Sequence, residues 1–468
     1  MSSMRFAILS FLTAVLLSLQ VAASGLVAVL QEKGKVIDTI RCKANSKFSY
    51  ALYLPANYSE ASKWPVIFVF DPAARGSLGV KGFVNAAAKY GYIIACSNNS
   101  KNQLPWNEIS DAVNSMFTDV QQKFSIDDRR IYTSGFSGGS RVASMIALQN
   151  NIITGIIACG AGLPNDAGFD KIPSFSYFGI VGNRDMNYLE MYDLGKKLDS
   201  LGINSEIRVF EGGHDWPSPG LLQEAVEWME IQAMKTGSKE KNTVFINSQF
   251  AVKKQKAEML WKKGKLIESA LLYGYIIKDF PLDPSTAKIK ETLDNLKKTP
   301  EYLKALKSFN KNRTLEMETQ SDLVTLLYTQ IRVEALPDTV RYILANKIRL
   351  LKNMESGKDS SRQVIASRVR MLVSTVCYET GKNLLSVKKY KGAAVCYQVG
   401  VMIDPPNKSM QFQLAKAYAY NNETDKSIES LEKAIRLGYN NRKSIESDPA
   451  FLILKNQKRY MELLKPLR

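Results

Sequence analysis

Apolar and polar positions follow two different rhythms along this chain. Between residues 48 and 235, short apolar runs are separated by longer amphipathic ones. "FSYALYLP" (48–55) and "PVIFVFDP" (65–72) read as strands, each stopped by a proline that cannot donate to a sheet. "VKGFVNAAAKYG" (80–91) has helical spacing and ends on Gly91, "YIIACS" (92–97) is a strand apolar on both faces, and "WNEISDAVNSMFTDVQQKF" (106–124) is a long amphipathic helix. The series continues with the strand "RRIYTSG" (129–135), a helix from about Gly139 to Gln149, and the strands "IITGIIACG" (152–160) and "SFSYFGIVG" (174–182). A helix over 189–202, a strand in "INSEIRVFEGG" (203–213) and a helix over 221–234 complete it. Apolar strands alternating with helices of this length predict a mostly parallel sheet with helices on both faces.

"TGSKEKNT" (236–243) is polar and has neither period. It predicts a linker over 237–246, between a domain at 25–236 and a second at 247–468. Beyond it the spacing is helical almost throughout. A shift of 34 residues lays Gly381 on Ala415, Ala393 on Ser427, Tyr397 on Leu431 and Gly400 on Ala434, small on small and large on large. Pro405 closes the first unit where Tyr439 stands in the second, and Tyr273 and Pro281 in "ALLYGYIIKDFP" repeat the aromatic-to-proline spacing. This period resembles tetratricopeptide repeats, best over about 365–440 and more weakly over 247–281. The resemblance implies stacked helix pairs that hold a protein partner, and a generic helical bundle is the reading the residues leave open.

A chain of 468 residues exceeds one ordinary core and predicts more than one domain. The formal net charge of +18 suggests a polyanionic partner until its distribution is read. Residues 25–236 carry 20 Lys+Arg against 21 Asp+Glu, and residues 237–468 carry 42 against 24. The excess is thus spread over helices of the second half, where solvated faces account for it, and no specific nucleic-acid partner is expected. "MSSMRFAILSFLTAVLLSLQVAASG" has one arginine, an apolar stretch and small residues, the layout of a signal peptide over 1–24. Its cleavage would leave a periplasmic or secreted protein with no transmembrane segment. Five cysteines without a CxxC spacing do not make a disulfide scaffold, and one histidine does not make a zinc site, so no metal or cofactor is expected.

Gly135-Phe136-Ser137-Gly138-Gly139 is a GxSxG match between the strand "IYTS" and the helical "SRVASMIALQ". Glycines on either side let a nucleophile occupy the tip of a tight strand-to-helix turn, and the helix N-terminus behind it favours developing negative charge. A serine hydroxyl needs a base, and the one histidine, His214, falls in the loop "FEGGHDWPSPG" after the last strand of the series. The carboxylate that orients it should follow the preceding strand, which offers Asp185 in "VGNRD". Asp193 falls within the next helix, and Asp215 adjoins His214 and should point elsewhere. Nucleophile, acid and base in this order, each after its own strand, resemble the α/β-hydrolase superfamily. "YLPANY", "PVIFVFDP", "RRIYTSGFSGGSRVA", "VGNRD" and "GGHDWP" carry a further resemblance to secreted dienelactone-hydrolase-, feruloyl-esterase- and polyhydroxybutyrate-depolymerase-like enzymes, over roughly 45–233.

The resemblance implies an α/β-hydrolase domain with a triad of Ser137, Asp185 and His214. One motif departs from it. Where such enzymes place His-Gly after the strand that supplies an oxyanion-hole amide, this chain has Asp71-Pro72-Ala73-Ala74-Arg75-Gly76, and Pro72 has no N–H. The amides of Ala73 and Gly138 are the expected donors, and losing one would cost about 3–4 kcal/mol of transition-state stabilisation. Asp71 offers a second role, hydrogen-bonding its own loop. Asn98, Asn99, Trp106 and Trp216 are expected to line a polar-aromatic pocket suited to a small-molecule or saccharide-linked ester. The expected activity is hydrolysis of carboxylic esters through an acyl-enzyme, with the helical repeats binding a partner or presenting substrate. A serine peptidase of the same fold and an inert hydrolase fold serving as a repeat-based binding protein are the alternatives.

Overall fold

A computed structural model describes residues 32–164, 175–281 and 283–467. The signal-peptide reading of 1–24 lies outside them. The chain divides into two compact units, Met1–Leu303 and Lys304–Arg468.

The first unit is built on an eight-stranded sheet: β1 (Val36–Arg41), β2 (Ser49–Tyr53), β3 (Trp64–Phe70), β4 (Ile93–Ser97), β5 (Ile126–Phe136), β6 (Ile153–Cys159), β7 (Ser176–Gly182) and β8 (Ser205–Phe210). Their order is β1-β2-β4-β3-β5-β6-β7-β8, with β2 antiparallel to both neighbours and every pairing from β4 to β8 parallel. The crossovers are α1 (Gly76–Tyr90), α2 (Trp106–Lys123), α3 (Gly138–Gln149) and α4 (Tyr188–Ser200), and α5 (Pro219–Lys235) follows β8. This is the α/β-hydrolase fold.

Strand periodicity decides which helix covers which face. Along β3, Val66, Phe68 and Phe70 pack with Ile109, Val113 and Met116 of α2, Ile146 of α3 and Leu194 of α4. Ile67 and Val69 pack on the other face with Val80 and Phe83 of α1 and Val226 and Met229 of α5. Both faces are therefore dry, as the near-continuous apolar runs require. Only Ile40 of β1 is buried, so that edge strand shows no alternation in sequence and was not among the expected strands.

The segment 237–246 is not the boundary between the compact units. The helices α6 (Thr243–Lys262), α7 (Leu266–Asp279) and α8 (Thr286–Lys298) belong to the first unit, which ends within the first turn of α9 (Pro300–Val333). The physical reason is a buried polar cluster that no local pattern announces. Lys253 Nζ of α6 donates to Glu206 Oε2 of β8 at 2.6 Å and to Asp279 Oδ2 of α7 at 2.5 Å. Asp279 also accepts from Trp228 Nε1 and Gln232 Nε2 of α5. Burial works against every charge here, yet the attraction between them outweighs it: the Glu206 carboxyl is held below, and the Lys253 ammonium above, its ordinary range.

The second unit is helical: most of α9, α10 (Asp338–Ser356), α11 (Ser360–Ser386), α12 (Tyr390–Ile403), α13 (Lys408–Tyr420), α14 (Thr424–Arg436), α15 (Arg442–Ser447), a 3₁₀ turn at Pro449–Leu454, and α16 (Lys458–Leu464). The α12 and α14 helices begin 34 residues apart, and all eight residues matched by that shift are buried. Gly381 shows why one position must be small, since a Cβ there would lie 2.7 Å from the Tyr397 ring. In this unit Arg368 and Glu316 form a buried pair at 2.7 Å. Among the described residues, no helix is long and apolar enough to cross a membrane, and no group of three or more His, Cys, Asp or Glu side chains could hold a metal ion. All five cysteines are unpaired and buried.

Candidate active site

The strand-to-helix turn after β5 sets the geometry. Ser137 has φ 53° and ψ −121°, in the left-handed half of the backbone map that a side-chain-bearing residue adopts at a cost. Neighbouring strands hold it there, with Ser137 N–H donating to the Cys159 carbonyl at 2.8 Å. The flanking glycines are required by space. A Cβ at Gly135 would lie 2.3 Å from the Gly139 carbonyl, and one at Gly139 would lie 2.1 Å from the Phe70 oxygen. α3 therefore starts against the end of β3, with Gly138 as its first residue and the Gly138 amide without an intrahelical acceptor.

The loops after β7 and β8 are laced together. Asn183 N–H donates to the Phe210 carbonyl and Arg184 N–H to the Gly212 carbonyl, each at 2.8 Å. A Cβ at Gly182 would strike the Gly213 oxygen at 2.3 Å, so only glycine lets the loops come this close. The result brings Ser137, Asp185 and His214 together at the C-terminal ends of their strands. His214 Nε2 lies 2.8 Å from Ser137 Oγ, and His214 Nδ1 lies 2.9 Å from Asp185 Oδ2. Asp185 is buried, and its other oxygen accepts from the Asn187 amide at 2.9 Å, so the carboxylate has one orientation. The histidine ring lies against Phe136 and is mostly shielded from water. Asp193 lies within α4 and Asp215 is exposed, and neither reaches the His214 ring.

The loop after β3 differs from expectation. Asp71 is buried and turns its carboxylate back on its own loop: Oδ1 accepts from the amides of Ala73 at 2.9 Å and Arg75 at 3.2 Å. The Arg75 guanidinium grips both oxygens at 2.9 Å, and Trp216 Nε1 donates to Oδ2 at 2.9 Å. Burial alone would raise the Asp71 pKa, but these hydrogen bonds outweigh it and hold the carboxyl below its ordinary range. The Ala73 amide is thereby committed to a carboxylate rather than free for an oxyanion, which corrects one of the two expected donors. The physical reason is that an aspartate occupies a position from which its side chain caps the loop.

The four residues expected to line a pocket are placed as follows. Asn99 Oδ1 accepts from the Ser49 amide at 2.8 Å, and Asn98 Nδ2 donates to the Asp38 carbonyl at 3.1 Å. Because β4 lies beside β2, Asn98 and Asn99 just past its end brace the β1–β2 edge. Trp106 stands exposed on the first turn of α2. Trp216 packs on Phe136 at a centroid separation of 5.5 Å with its indole N–H turned to Asp71, so it braces the histidine loop. A cavity of about 490 Å³ lined by Arg129, Thr154, Ser176 and Gln232 opens at the opposite, N-terminal ends of β5, β6 and β7. Sequence reasoning missed Asn187 and Asn102, polar loop residues among many, whose partners only the folded chain reveals.

No family model matches the chain, and no curated protein matches it. Among solved structures it is similar to a ferulic acid esterase, at 19% identity over 41% of this chain and 94% of that one, with a TM-score of 0.34. It is also similar to the S-formylglutathione hydrolase FrmB of Staphylococcus aureus, at 14% identity over 39% and 90% of the two chains, TM-score 0.33. An esterase from Pyrobaculum calidifontis gives 14% identity over 47% and 91%, TM-score 0.35.

Proposed function

We propose that this protein is an exported serine hydrolase that cleaves carboxylic esters through an acyl-enzyme. The observation that carries the reading is the continuous hydrogen-bonded chain from Ser137 Oγ through His214 to Asp185. His214 Nε2 takes the Ser137 proton as Oγ attacks the ester carbonyl carbon, while Asp185 holds the resulting imidazolium at Nδ1. The carbonyl oxygen becomes an oxyanion beside the Gly138 amide, the C–O bond breaks, and the alcohol leaves with the proton from His214. Water, deprotonated by the same nitrogen, then releases the acid and restores Ser137.

The resemblance of the motifs to esterases and the ease of the reaction favour esters over amides. An amide has the poorer leaving group and is the harder bond to cleave, and of the two expected backbone donors the Ala73 amide is engaged with Asp71. That engagement is also what favours the inert alternative. The 34-residue helical period with its buried small positions supports a tetratricopeptide-like second half that holds a protein partner. The resemblance to secreted esterases and the leader-like N-terminus support export.

The test is fluorophosphonate labelling of the purified protein with p-nitrophenyl acetate turnover in parallel, beside Ser137→Ala and His214→Ala. Labelling at Ser137 is expected, and each substitution should abolish it and lower turnover by about 10⁴-fold or more. A folded wild-type protein that neither labels nor turns over would sink the enzyme reading.

A further inference from the structure

We infer that Asn102 supplies the second oxyanion donor through its side-chain carboxamide, in the place the Ala73 amide cannot fill. The inference rests on the serine-hydrolase reading. Its starting point is Gly138, the residue after the nucleophile. A Cβ there would lie 1.9 Å from Asn102 Oδ1, 2.7 Å from Cγ and 3.0 Å from Nδ2. The carboxamide thus sits against the residue whose amide is the free donor behind Ser137.

Its backbone is fixed from the loop that lost its donor. Asn102 N–H donates to the Pro72 carbonyl at 2.9 Å, and Lys101 pairs with Ala73 as an antiparallel bridge. Gln103 follows at φ 71°, a left-handed turn that sends the chain away toward α2. The capped loop after β3 therefore serves as the platform that presents Asn102, and Asp71 positions the donor without touching the substrate.

The carboxamide is also free to act. The Asn102 side chain makes no hydrogen bond with another described residue and is exposed. Its terminal torsion is broad and two-fold, so either edge can turn toward an arriving oxygen. Four other polar side chains of the surrounding loops are engaged: Asn98 and Asn99 with the β1–β2 edge, and Arg75 and Trp216 with Asp71. A neutral N–H donor stabilises the oxyanion without adding a charge that would favour bound carboxylate product. Gly138 has a second explanation here, because any side chain at that position would displace Asn102.

The test uses the full chain with Asn102→Ala and Asn102→Asp, and Ser137→Ala as the blank. Steady-state turnover of p-nitrophenyl acetate and affinity for an aryl trifluoromethyl ketone, which forms a tetrahedral oxyanion on the serine, are both measured. For Asn102→Ala, kcat should fall about 10²-fold or more and ketone affinity should fall in parallel, while KM stays within about 3-fold. Asn102→Asp, nearly isosteric but anionic, should fall further, with its melting temperature unchanged. Turnover by either variant within about 3-fold of wild type would overturn the assignment while leaving the triad reading intact. A folded wild type that neither turns over nor binds the ketone would remove both.

Discussion

Asp71 shows how much one side chain can decide. Five donors converge on its buried carboxylate, from Ala73, Arg75 and Trp216, and they fix the loop after β3 and the loop that carries His214. Because its folded pKa is depressed, its stabilisation is complete above the unfolded value near 3.9 and is lost as pH falls through the lower folded value. Asp71→Asn should therefore be less stable by about 1–3 kcal/mol at pH 7, with the gap to wild type constant down to about pH 5 and closing below pH 4. Urea denaturation at a series of pH values checks this, and a gap that widens on acidification would contradict it. The thiols give a second expectation. Burial pushes Cys42 up to about 11 and Cys396 up to about 12, and raises Cys96, Cys159 and Cys377 as well. No cysteine of the native protein should react with Ellman's reagent at pH 8, and all five should react in denaturant. Ser137, Asp185 and His214 were legible in sequence because each follows a clear apolar run. Asp71 capping its own loop was legible as an option, but its grip on Trp216 was not, since the two are 145 residues apart.

At the scale of elements, period and stop signals located the strands from β2 to β8 and the helices among them. The edge strand β1 escaped because a strand paired on one side and mostly wet has no reason to alternate. The helices after residue 243 were legible as helices, but their allegiance was not. Lys253 reads as one more lysine on a basic helix, and only the fold shows it buried between Glu206 and Asp279. Replacing it with methionine leaves Asp279 without its cation and Glu206 with Arg208 alone. Lys253→Met should destabilise the first unit by about 3–5 kcal/mol, measured by urea denaturation, with recovery in part on adding Asp279→Asn. A neutral Lys253→Met would mean that water reaches these carboxylates.

For the whole molecule, the boundary between compact units has a practical consequence. A chain ending at Leu303 keeps α6, α7 and α8 on the α/β sheet, whereas one ending at Lys235 uncovers Trp228, Gln232 and Glu206. The longer fragment should purify as a folded monomeric unit with a cooperative melt and label with fluorophosphonate, and the shorter one should aggregate or melt without cooperativity. Equal behaviour of the two would restore a boundary near 237–246.

By itself the sequence determined the two kinds of architecture, the strand-to-helix turn that carries Ser137, and the order in which Ser137, Asp185 and His214 follow their strands. These depend on local periodicity, on glycines that a tight turn requires, and on the scarcity of histidine. The tertiary structure alone decided that the Ala73 amide is spent on Asp71, that Asn98 and Asn99 brace the β1–β2 edge while the Asn102 carboxamide lies against Gly138, and that three helices from Thr243 onward join the first unit. The reason is the same in each case. A polar side chain in a loop or on a helix carries no periodic signature of its partner, and its role is set by which distant backbone or buried charge the fold brings within hydrogen-bonding reach.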